Sequence, residues 1–255
     1  MLGADLIVLC YHAVSPTWPA ALSVSPVVLR RQLSRLVQRG YRGATFTKAV
    51  LEPSREPTVC VTFDDAYASV LAKGLPVLDE FGLPGTVFAA SSFIGRDEPM
   101  AWPGIDGWLE TQHSKELLPM SWADLALLRE HGWEVGSHTR THPRLTRLND
   151  EELGRELRDS KLELESGLGA VCTSLAYPYG DHDARVVQAA RRAGYVAAGT
   201  LPTTFPAAKE LAWPRVGVYH EDGAVIFALK TSRIVRSLRR GAGWNLAQRA
   251  IRAVR

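Results

Sequence analysis

The chain has 255 residues, 46% of them hydrophobic and 22% charged, with 30 Lys and Arg against 27 Asp and Glu. These values are ordinary for a globular protein, and they exclude disorder, collagen and coiled coil as descriptions of the whole chain. The basic excess lies at the C-terminal end, because no acidic residue follows Asp222 and the chain up to that point carries 22 basic and 27 acidic residues.

Short apolar segments with the character of β-strands recur along the chain, and helical patterns separate them. The segments are apolar throughout rather than alternating, which indicates strands covered on both faces. Strand alternates with helix about seven times, which predicts an α/β fold, either a (β/α) barrel or a doubly wound sheet. The predicted strands are 6–11, 58–63, 85–90, 133–137, 174–177, 195–200 and 213–218, with a weaker one at 45–46, and the predicted helices are 26–39, 122–131, 149–168 and 183–192.

The first predicted strand ends in Tyr11-His12. Histidine is the side chain that most often transfers a proton near neutral pH. A single histidine at a strand exit is also common as an ordinary polar loop residue. His12 gains interest because other polar motifs also follow strands, and the C-terminal ends of barrel strands meet around the active site.

Two adjacent carboxylates, Asp64 and Asp65, follow the predicted strand at 58–63. Because the backbone turns where a strand ends, both can face one site. One could then bind a metal while the other stays free as a base. The alternative is a capping aspartate with a solvated neighbour, since Asp often occupies the loop after a strand.

Two histidines, His138 and His142, follow the predicted strand at 133–137. They can converge on one cation if the turn between them is compact, and nitrogen ligands suit zinc. Pro143 favours an extended or turn conformation at His142, so the motif predicts a turn and not a helix. With one aspartate, they make three ligands, the number typical of a catalytic metal with positions open to water and substrate. A structural or exposed pair of histidines is the alternative.

A further turn follows the predicted strand at 174–177. Pro178 and Gly180 fix a rigid turn around Tyr179. A backbone N–H in such a turn could point at a developing oxyanion. A simple tight turn is the alternative.

The three motifs together resemble the polysaccharide deacetylases of the NodB-homology type, carbohydrate esterase family four. The residues that carry the resemblance are TFDDAY at 62–67, SHTRTHPRL at 137–145 and AYPYG at 176–180, and the resemblance spans about 6–219. It implies an α/β fold with a distorted (β/α)7, TIM-like barrel in a single domain. It also implies hydrolysis of an N-acetyl group on an amino sugar, in a glycan or a lipid-linked saccharide.

The resemblance also implies a role for each motif residue. Asp64 is similar to the catalytic base of the family, and Asp65, His138 and His142 are similar to its metal ligands. Tyr179 resembles the residue whose backbone donates to the oxyanion and which contacts the substrate. The implied metal is Zn²⁺, or another divalent transition metal such as Co²⁺ or Ni²⁺.

Two positions depart from the usual pattern of the family. The arginine expected two residues before the Pro-Tyr pair is Ala176 here, and the late Leu-x-His motif is missing. Both departures resemble the permuted branch that includes the poly-N-acetylglucosamine deacetylases. In that branch an N-terminal Tyr-His supplies the acid and a late Pro-Arg supplies the cation. The resemblance therefore implies His12 as the acid and Arg215 as the partner of Asp64.

The longest irregular stretch, 91–120, is the predicted place of substrate contacts, because long loops in compact domains often serve as lids or binding loops. Trp102 and Trp108 lie in this stretch. Both are predicted to stack on sugar rings. Packing in the core is the alternative for each of them.

The charge distribution divides the chain into a catalytic domain at 1–222 and a basic amphipathic C-terminal extension at 223–255. Basic amphipathic helices can lie on anionic membrane surfaces. The expected partners are the N-acetylated saccharide that the resemblance implies and an anionic membrane surface. Nucleic acid is not an expected partner. A solvated or packed C-terminal helix is the alternative.

The location predicted from the sequence is cytoplasmic, peripheral to the inner face of the membrane. The first twelve residues do not have the charge pattern or apolar length of a secretory signal. The three cysteines lie far apart in apolar segments, which argues against a disulfide framework.

Two rival functions remain open at the level of sequence. One is a related amide hydrolase that acts on a small non-sugar substrate, because one fold can host several chemistries. The other is a non-catalytic carbohydrate-binding protein that keeps a relict site. The intact set of Asp64, Asp65, His138 and His142 argues against the second.

Overall fold

The computed structural model of the chain describes residues 5–202 and 205–239. Its strands are β1 Leu6–Tyr11, β2 Ala13–Val14, β3 Ser23–Val24, β4 Arg42–Gly43, β5 Thr58–Phe63, β6 Gly85–Ala89, β7 Glu134–Ser137, β8 Ser174–Ala176, β9 Ala197–Thr200, β10 Trp213–Pro214 and β11 Val216–Gly217. Its helices are α1 Pro26–Gln38, α2 Phe46–Leu51, α3 Leu75–Asp79, α4 Trp122–Glu130, α5 Asp150–Leu168, α6 Ala184–Arg192, α7 Ala224–Thr231 and α8 Arg233–Leu238.

The main sheet is parallel throughout and nearly closes into a barrel. Its strands follow the order β10-β9-β8-β7-β6-β5-β1-β11, and β4 pairs with β5 beside this path. The two edge strands, β10 and β11, are separated in the chain by a single residue, Arg215. The predicted (β/α)7 barrel is therefore confirmed, and Arg215 lies where the two edges of the sheet approach each other.

Alternate residues of the central strands face the inside of the barrel. Val8 of β1, Cys60 of β5 and Phe88 of β6 belong to one small buried cluster. Two residues further along, Cys10 and Thr62 have the same orientation by the period of two, and both are fully buried. One more step of two residues along each strand leads to His12 and Asp64, which lie at the C-terminal mouth of the barrel.

Several boundaries differ from those predicted from the sequence. The predicted strand at 213–218 is two short strands, because Arg215 interrupts the pairing. The weak strand at 45–46 is wrong, since Thr45 is the N-cap residue of α2 and Phe46 is its first residue. By contrast, α5 begins as its sequence indicates, because Asn149 and Glu152 form a reciprocal capping box.

The long stretch at 91–120 is folded against the mouth of the barrel. It contains three 3₁₀ turns, at Ser91–Phe93, Asp106–Trp108 and Ser114–Leu117. Backbone hydrogen bonds tie its start to the loop after β7, because Ser91 N donates to Thr139 O at 3.1 Å. This attachment holds the loop over the C-terminal ends of the strands.

The two helices that follow Asp222 pack on the barrel. Phe227 of α7 is fully buried, and Arg236 of α8 donates to Asp5 Oδ2 at 2.6 Å and to Leu6 O at 3.1 Å. Residues 240–255 of the predicted basic extension lie outside the described residues. In the part of the chain that the structure describes, no helix is both long enough and apolar enough to cross a bilayer.

Candidate active site

The polar motifs at the strand ends meet around one cavity of about 400 Å³ at the C-terminal mouth of the barrel. Long loops and strand exits contribute its walls. The residues that line it are His12, Ala21, Leu22, Asp64, Asp65, Trp102, Pro103, Gly104, Ile105, His138, His142, Tyr179, Leu201 and Tyr219.

Asp64 is fixed by a bidentate ion pair with Arg215. The Asp64 oxygens accept from Arg215 Nη1 at 2.7 Å and Nη2 at 2.8 Å, and Nη1 also donates to Thr62 Oγ1 at 3.0 Å. Both charged side chains are about 1% exposed. Burial alone would raise the pKa of Asp64, but the charge of Arg215 and its two hydrogen bonds hold that pKa well below its ordinary range. The carboxylate is therefore ionised at neutral pH.

Cys10 is a further neighbour of Asp64 that the sequence analysis did not assign to the site. Its Sγ donates to Asp64 Oδ2 at 3.3 Å. Burial raises the pKa of the Cys10 thiol, so the thiol stays protonated and acts as a donor. The sequence contained an indication that Cys10 faces the site, because Cys10 lies two residues before His12 on the same face of its strand.

Gly199 leaves the space that Arg215 needs. A Cβ at Gly199 would lie 2.6 Å from Arg215 Nε, which is closer than such atoms approach in proteins. Gly199 pairs in register with Ala176 on the neighbouring strand β8. The small residue at 176, where the family pattern has arginine, thus lies in register with the glycine that makes room for Arg215.

Asp65, His138 and His142 form a compact group of three potential metal ligands. Asp65 Oδ1 lies 3.4 Å from Nε2 of each histidine, and all three side chains are at most 5% exposed. Asp65 Oδ1 is buried and accepts no hydrogen bond. A buried carboxylate oxygen in that situation is costly unless a cation binds it.

His138 is oriented by its second ring nitrogen. Nδ1 lies 2.8 Å from Ala176 O, which assigns its proton to Nδ1 and leaves the lone pair of Nε2 facing Asp65. Burial lowers the pKa of His138, but the charges of Asp64 and Asp65 outweigh burial and raise the pKa overall. For His142, burial lowers the pKa to about 3, so that ring is neutral at pH 7 and has a lone pair available for a metal.

These observations fit a catalytic divalent metal. The donor set is one carboxylate and two imidazoles, which leaves coordination positions for water and substrate. Cys10, His12 and Asp64 also come within 4.8 Å of one another. That second group is less suited to a cation, because Asp64 is already held by Arg215 and the thiol is protonated.

His12 lies at the mouth beside both carboxylates and is 8% exposed. Its Nδ1 is buried without a hydrogen-bond partner. Burial lowers the pKa of His12 more than the charges of Asp65 and Asp64 raise it. The ring is therefore neutral at pH 7 before any reaction.

The backbone is strained at the site. Within the described residues, the non-glycine residues with positive φ are Asp65, Ala66, Thr139, His142 and Tyr179. Each lies in one of the three polar motifs, and such conformations persist only where the surrounding structure enforces them. Two of these residues, Asp65 and His142, contact each other, with Oδ1 and Nε2 3.4 Å apart.

The aromatic residues predicted to contact the substrate differ in their position relative to the cavity. Trp102 lines the cavity, is 7% exposed and stacks on His142 with a centroid distance of 4.2 Å. Tyr179 also contacts His142, and its hydroxyl donates to Pro103 O at 3.1 Å. Trp108 does not line the cavity and packs edge-on against Trp18. Sugar stacking by Trp102 stays a prediction, whereas the structure places Trp108 away from the cavity.

Comparison with known proteins agrees with this geometry. A family model described as polysaccharide deacetylase matches residues 52–198, more than half of the chain. YxkH of Bacillus subtilis, which has a provisional polysaccharide deacetylase name, is 27% identical over 198 residues, or 75% of this chain. The matched part spans 63% of the length of YxkH.

Solved structures share the fold. The Streptococcus pyogenes deacetylase PplD, in complex with acetate, has a TM-score of 0.73 at 20% identity and matches 90% of this chain and 99% of its own. IcaB from Ammonifex degensii has a TM-score of 0.69 at 24% identity and matches 90% of this chain and 98% of its own. The family match includes the Asp64, Asp65, His138, His142 and Tyr179 positions but neither His12 nor Arg215.

Proposed function

This chain belongs to the polysaccharide deacetylase family, and from that premise we propose that it removes N-acetyl groups from an amino sugar in a glycan or lipid-linked saccharide. One observation carries the proposal: an ionised, immobilised carboxylate, Asp64, lies beside a group of three metal ligands at an accessible cavity. Those two parts are what amide hydrolysis by an activated water needs.

We propose Asp65, His138 and His142 as ligands of Zn²⁺, with Co²⁺ or Ni²⁺ as substitutes. A divalent metal bound there polarises the acetyl carbonyl and lowers the pKa of water. The carboxylate and imidazole ligands are of the type that zinc prefers. Because the Nδ1 proton of His138 is held by a backbone carbonyl, its Nε2 is oriented before the metal arrives.

In the proposed reaction Asp64 accepts a proton as water attacks the acetyl carbon. Its low pKa means that Asp64 does not keep this proton. A nitrogen of His12 lies within 4.8 Å of the carboxylate, and His12 is neutral, so it can receive the proton. His12 then protonates the sugar nitrogen as the C–N bond breaks, which yields acetate and a free amine. The Tyr179 backbone N–H is the proposed donor to the oxyanion.

We expect metal-loaded protein to release acetate from at least one member of a panel of soluble, lipid-linked and polymeric N-acetylated saccharides. Asp65→Asn and His142→Ala should lose most bound metal and most acetate release, because each removes a ligand. Metal content by mass spectrometry and acetate by enzymatic assay measure the two effects.

The same panel separates the rival functions. Turnover of small non-sugar amides alone would favour the related amide hydrolase. Saccharide binding with bound metal and no acetate release would favour the carbohydrate-binding protein. Protein that takes up no divalent metal would contradict the ligand assignment.

We also propose that the protein lies peripherally on an anionic membrane at the cytoplasmic face. The support is a set of exposed apolar side chains on α7 and α8, near a groove that Arg30, Arg31 and Arg35 line together with Glu80 and Asp222. Basic and apolar groups together are the composition of membrane-surface helices. The exposed apolar side chains are Val225, Ile226, Leu229, Ile234 and Leu238.

Deleting residues 241–255 is expected to lower binding to anionic vesicles, because it removes Arg249, Arg252 and Arg255. Acetate release from soluble saccharides should stay unchanged, since the proposed catalytic residues precede the deletion. Vesicle sedimentation with anionic and neutral lipids measures the binding. Equal binding of full-length and shortened protein to anionic vesicles would contradict the proposal.

A further inference from the structure

The loop between the two proposed histidine ligands is exposed, although the histidines themselves are buried. Arg140 and Thr141 face solvent. His138 and His142 are at most 5% exposed. The loop is also strained, with φ values of 65° at Thr139 and 62° at His142. Non-glycine residues keep such values only where other contacts enforce them, so the contacts of this loop help to determine where the His142 ring lies.

Glu156 of α5 makes three hydrogen bonds to this loop. Its Oε2 accepts from the backbone N–H groups of Arg140 and Thr141, at 2.9 Å each, and its Oε1 accepts from Thr141 Oγ1 at 2.6 Å. Consecutive N–H groups that converge on one oxygen are a favourable arrangement for an anion, and hydrogen bonds to a carboxylate are stronger than neutral ones. The carboxylate thus fixes the backbone immediately before His142.

Helix α5 is a rigid support for Glu156. It is 19 residues long, begins with a capping box and buries three leucines. The Ser160 hydroxyl of the same helix is buried and lies 2.7 Å from Ser137 Oγ, at the end of β7. Glu163, about two turns after Glu156, accepts from Arg140 Nε at 2.7 Å. The histidine loop is therefore attached to the core through this one helix as well as through its own strand.

The two histidines differ in what orients their rings. His138 Nδ1 lies 2.8 Å from Ala176 O, whereas His142 Nδ1 is buried with no hydrogen-bond partner among the described residues. Metal-bound histidines usually gain their orientation from such a partner on the second nitrogen. The ring of His142 contacts those of Trp102 and Tyr179 instead. Its orientation therefore depends more strongly on its backbone than that of His138 does.

We propose that Glu156 is a positioning residue of the metal site, which holds the loop so that His142 Nε2 faces Asp65 before a metal binds. This role rests on the proposed function, because the metal ligands are part of it. Glu156 is not among the residues that line the catalytic cavity, so it acts through the loop and not on the substrate. A site that is arranged in advance loses less conformational freedom when the ion binds, which predicts tighter binding.

The first measurement is the Kd of Zn²⁺ for the metal-free protein, determined by competition with a chelator. Glu156→Ala should raise this Kd by about tenfold, the lower end of the effect typical for residues that support metal ligands from outside. Glu156→Gln should raise the Kd less, since its amide oxygen can still accept from both backbone N–H groups. The glutamine variant also removes the charge, so it separates loss of charge from loss of position.

Glu151→Ala is the matched control, because it removes a carboxylate from the same helix at a position that pairs with Arg155 and not with the loop. Its Kd should equal that of wild type. In metal-free protein, the amides of Arg140 and Thr141 should exchange hydrogen faster in Glu156→Ala but not in Glu151→Ala. Alanine is favourable in helices, and thermal unfolding shows that both variants are folded.

An unchanged Kd in Glu156→Ala overturns the inference, and so does unchanged amide exchange in the loop. Equal Kd values for Glu156→Gln and Glu156→Ala overturn it as well, because they would assign the effect to charge alone. A wild type that binds no divalent metal overturns both the ligand assignment and the role of Glu156. If the Kd values differ as expected but no saccharide is deacetylated, the role of Glu156 stands and the proposed function fails.

Discussion

Asp64→Asn is expected to lower the kcat for acetate release by about 10²–10⁴-fold, the usual contribution of a general base. The amide has the shape of the carboxylate but cannot accept the proton of the attacking water. Bound metal should be retained, because the proposed ligands are Asp65, His138 and His142. Single-turnover acetate release, normalised to metal content, measures the effect.

Asp65→Asn is the matched control for this prediction, since it makes the same change at the adjacent residue. It should lose metal and activity together, whereas Asp64→Asn should lose activity alone. Wild-type kcat in metal-loaded Asp64→Asn would show that Asp64 is not the base. Loss of metal from both variants would show that the two aspartates share one role.

Arg215→Met should have a large effect on both stability and activity. It removes the cation from a carboxylate that is about 1% exposed. Breaking a buried ion pair by removing one partner typically costs about 3–5 kcal/mol, because the remaining charge is left uncompensated. Chemical denaturation at pH 7 measures the free energy of unfolding.

The pH dependence of this destabilisation has a definite direction. In wild type the pKa of Asp64 is lowered, so its contribution to stability is present above the unfolded pKa and is lost only as the pH falls through the lower, folded pKa. In Arg215→Met, burial dominates and the folded pKa lies above the unfolded value. The stability difference between the two proteins should therefore shrink as the pH falls from 8 toward 5. The acid limb of kcat/KM should move to higher pH.

The double variant Asp64→Asn/Arg215→Met tests whether the unpaired Asp64 carboxylate causes the loss of stability in Arg215→Met. It removes the uncompensated carboxylate, so it should be more stable at pH 7 than Arg215→Met alone. Gly199→Ala offers an independent approach, because its Cβ would lie 2.6 Å from Arg215 Nε and would displace the guanidinium. A double variant that is less stable than Arg215→Met would contradict the ion-pair explanation.

The fold and the proximity of the proposed metal ligands could be predicted from the sequence because each motif directly follows an apolar strand. In a parallel barrel all such strand ends meet at one mouth, so the order of Asp65, His138 and His142 along the chain is enough to predict their proximity. The predicted barrel is confirmed, and the structure brings these three residues together.

Other features depended on distances that a linear pattern does not contain. The thiol of Cys10 contacts Asp64 because two strands pair in register, with Cys10 opposite Thr62. Trp102 and Trp108 were equivalent in the sequence. In the structure Trp102 stacks on His142, whereas Trp108, the last residue of a 3₁₀ turn, packs against Trp18. The contacts of loop side chains such as these depend on packing, which the hydrophobic period of the sequence does not predict.

The position of Arg215 between β10 and β11 has a consequence for the order of assembly. The contact with Asp64 joins residues 151 positions apart in the chain. In a nascent chain Asp64 is therefore synthesised long before its partner Arg215. The Asp64 carboxylate is ionised in the unfolded chain as well, but Arg215 holds it in place only when residues 213–217 dock between the two edges of the sheet. Acetate release during refolding should therefore report the formation of this long-range contact, which a measurement of secondary structure content does not.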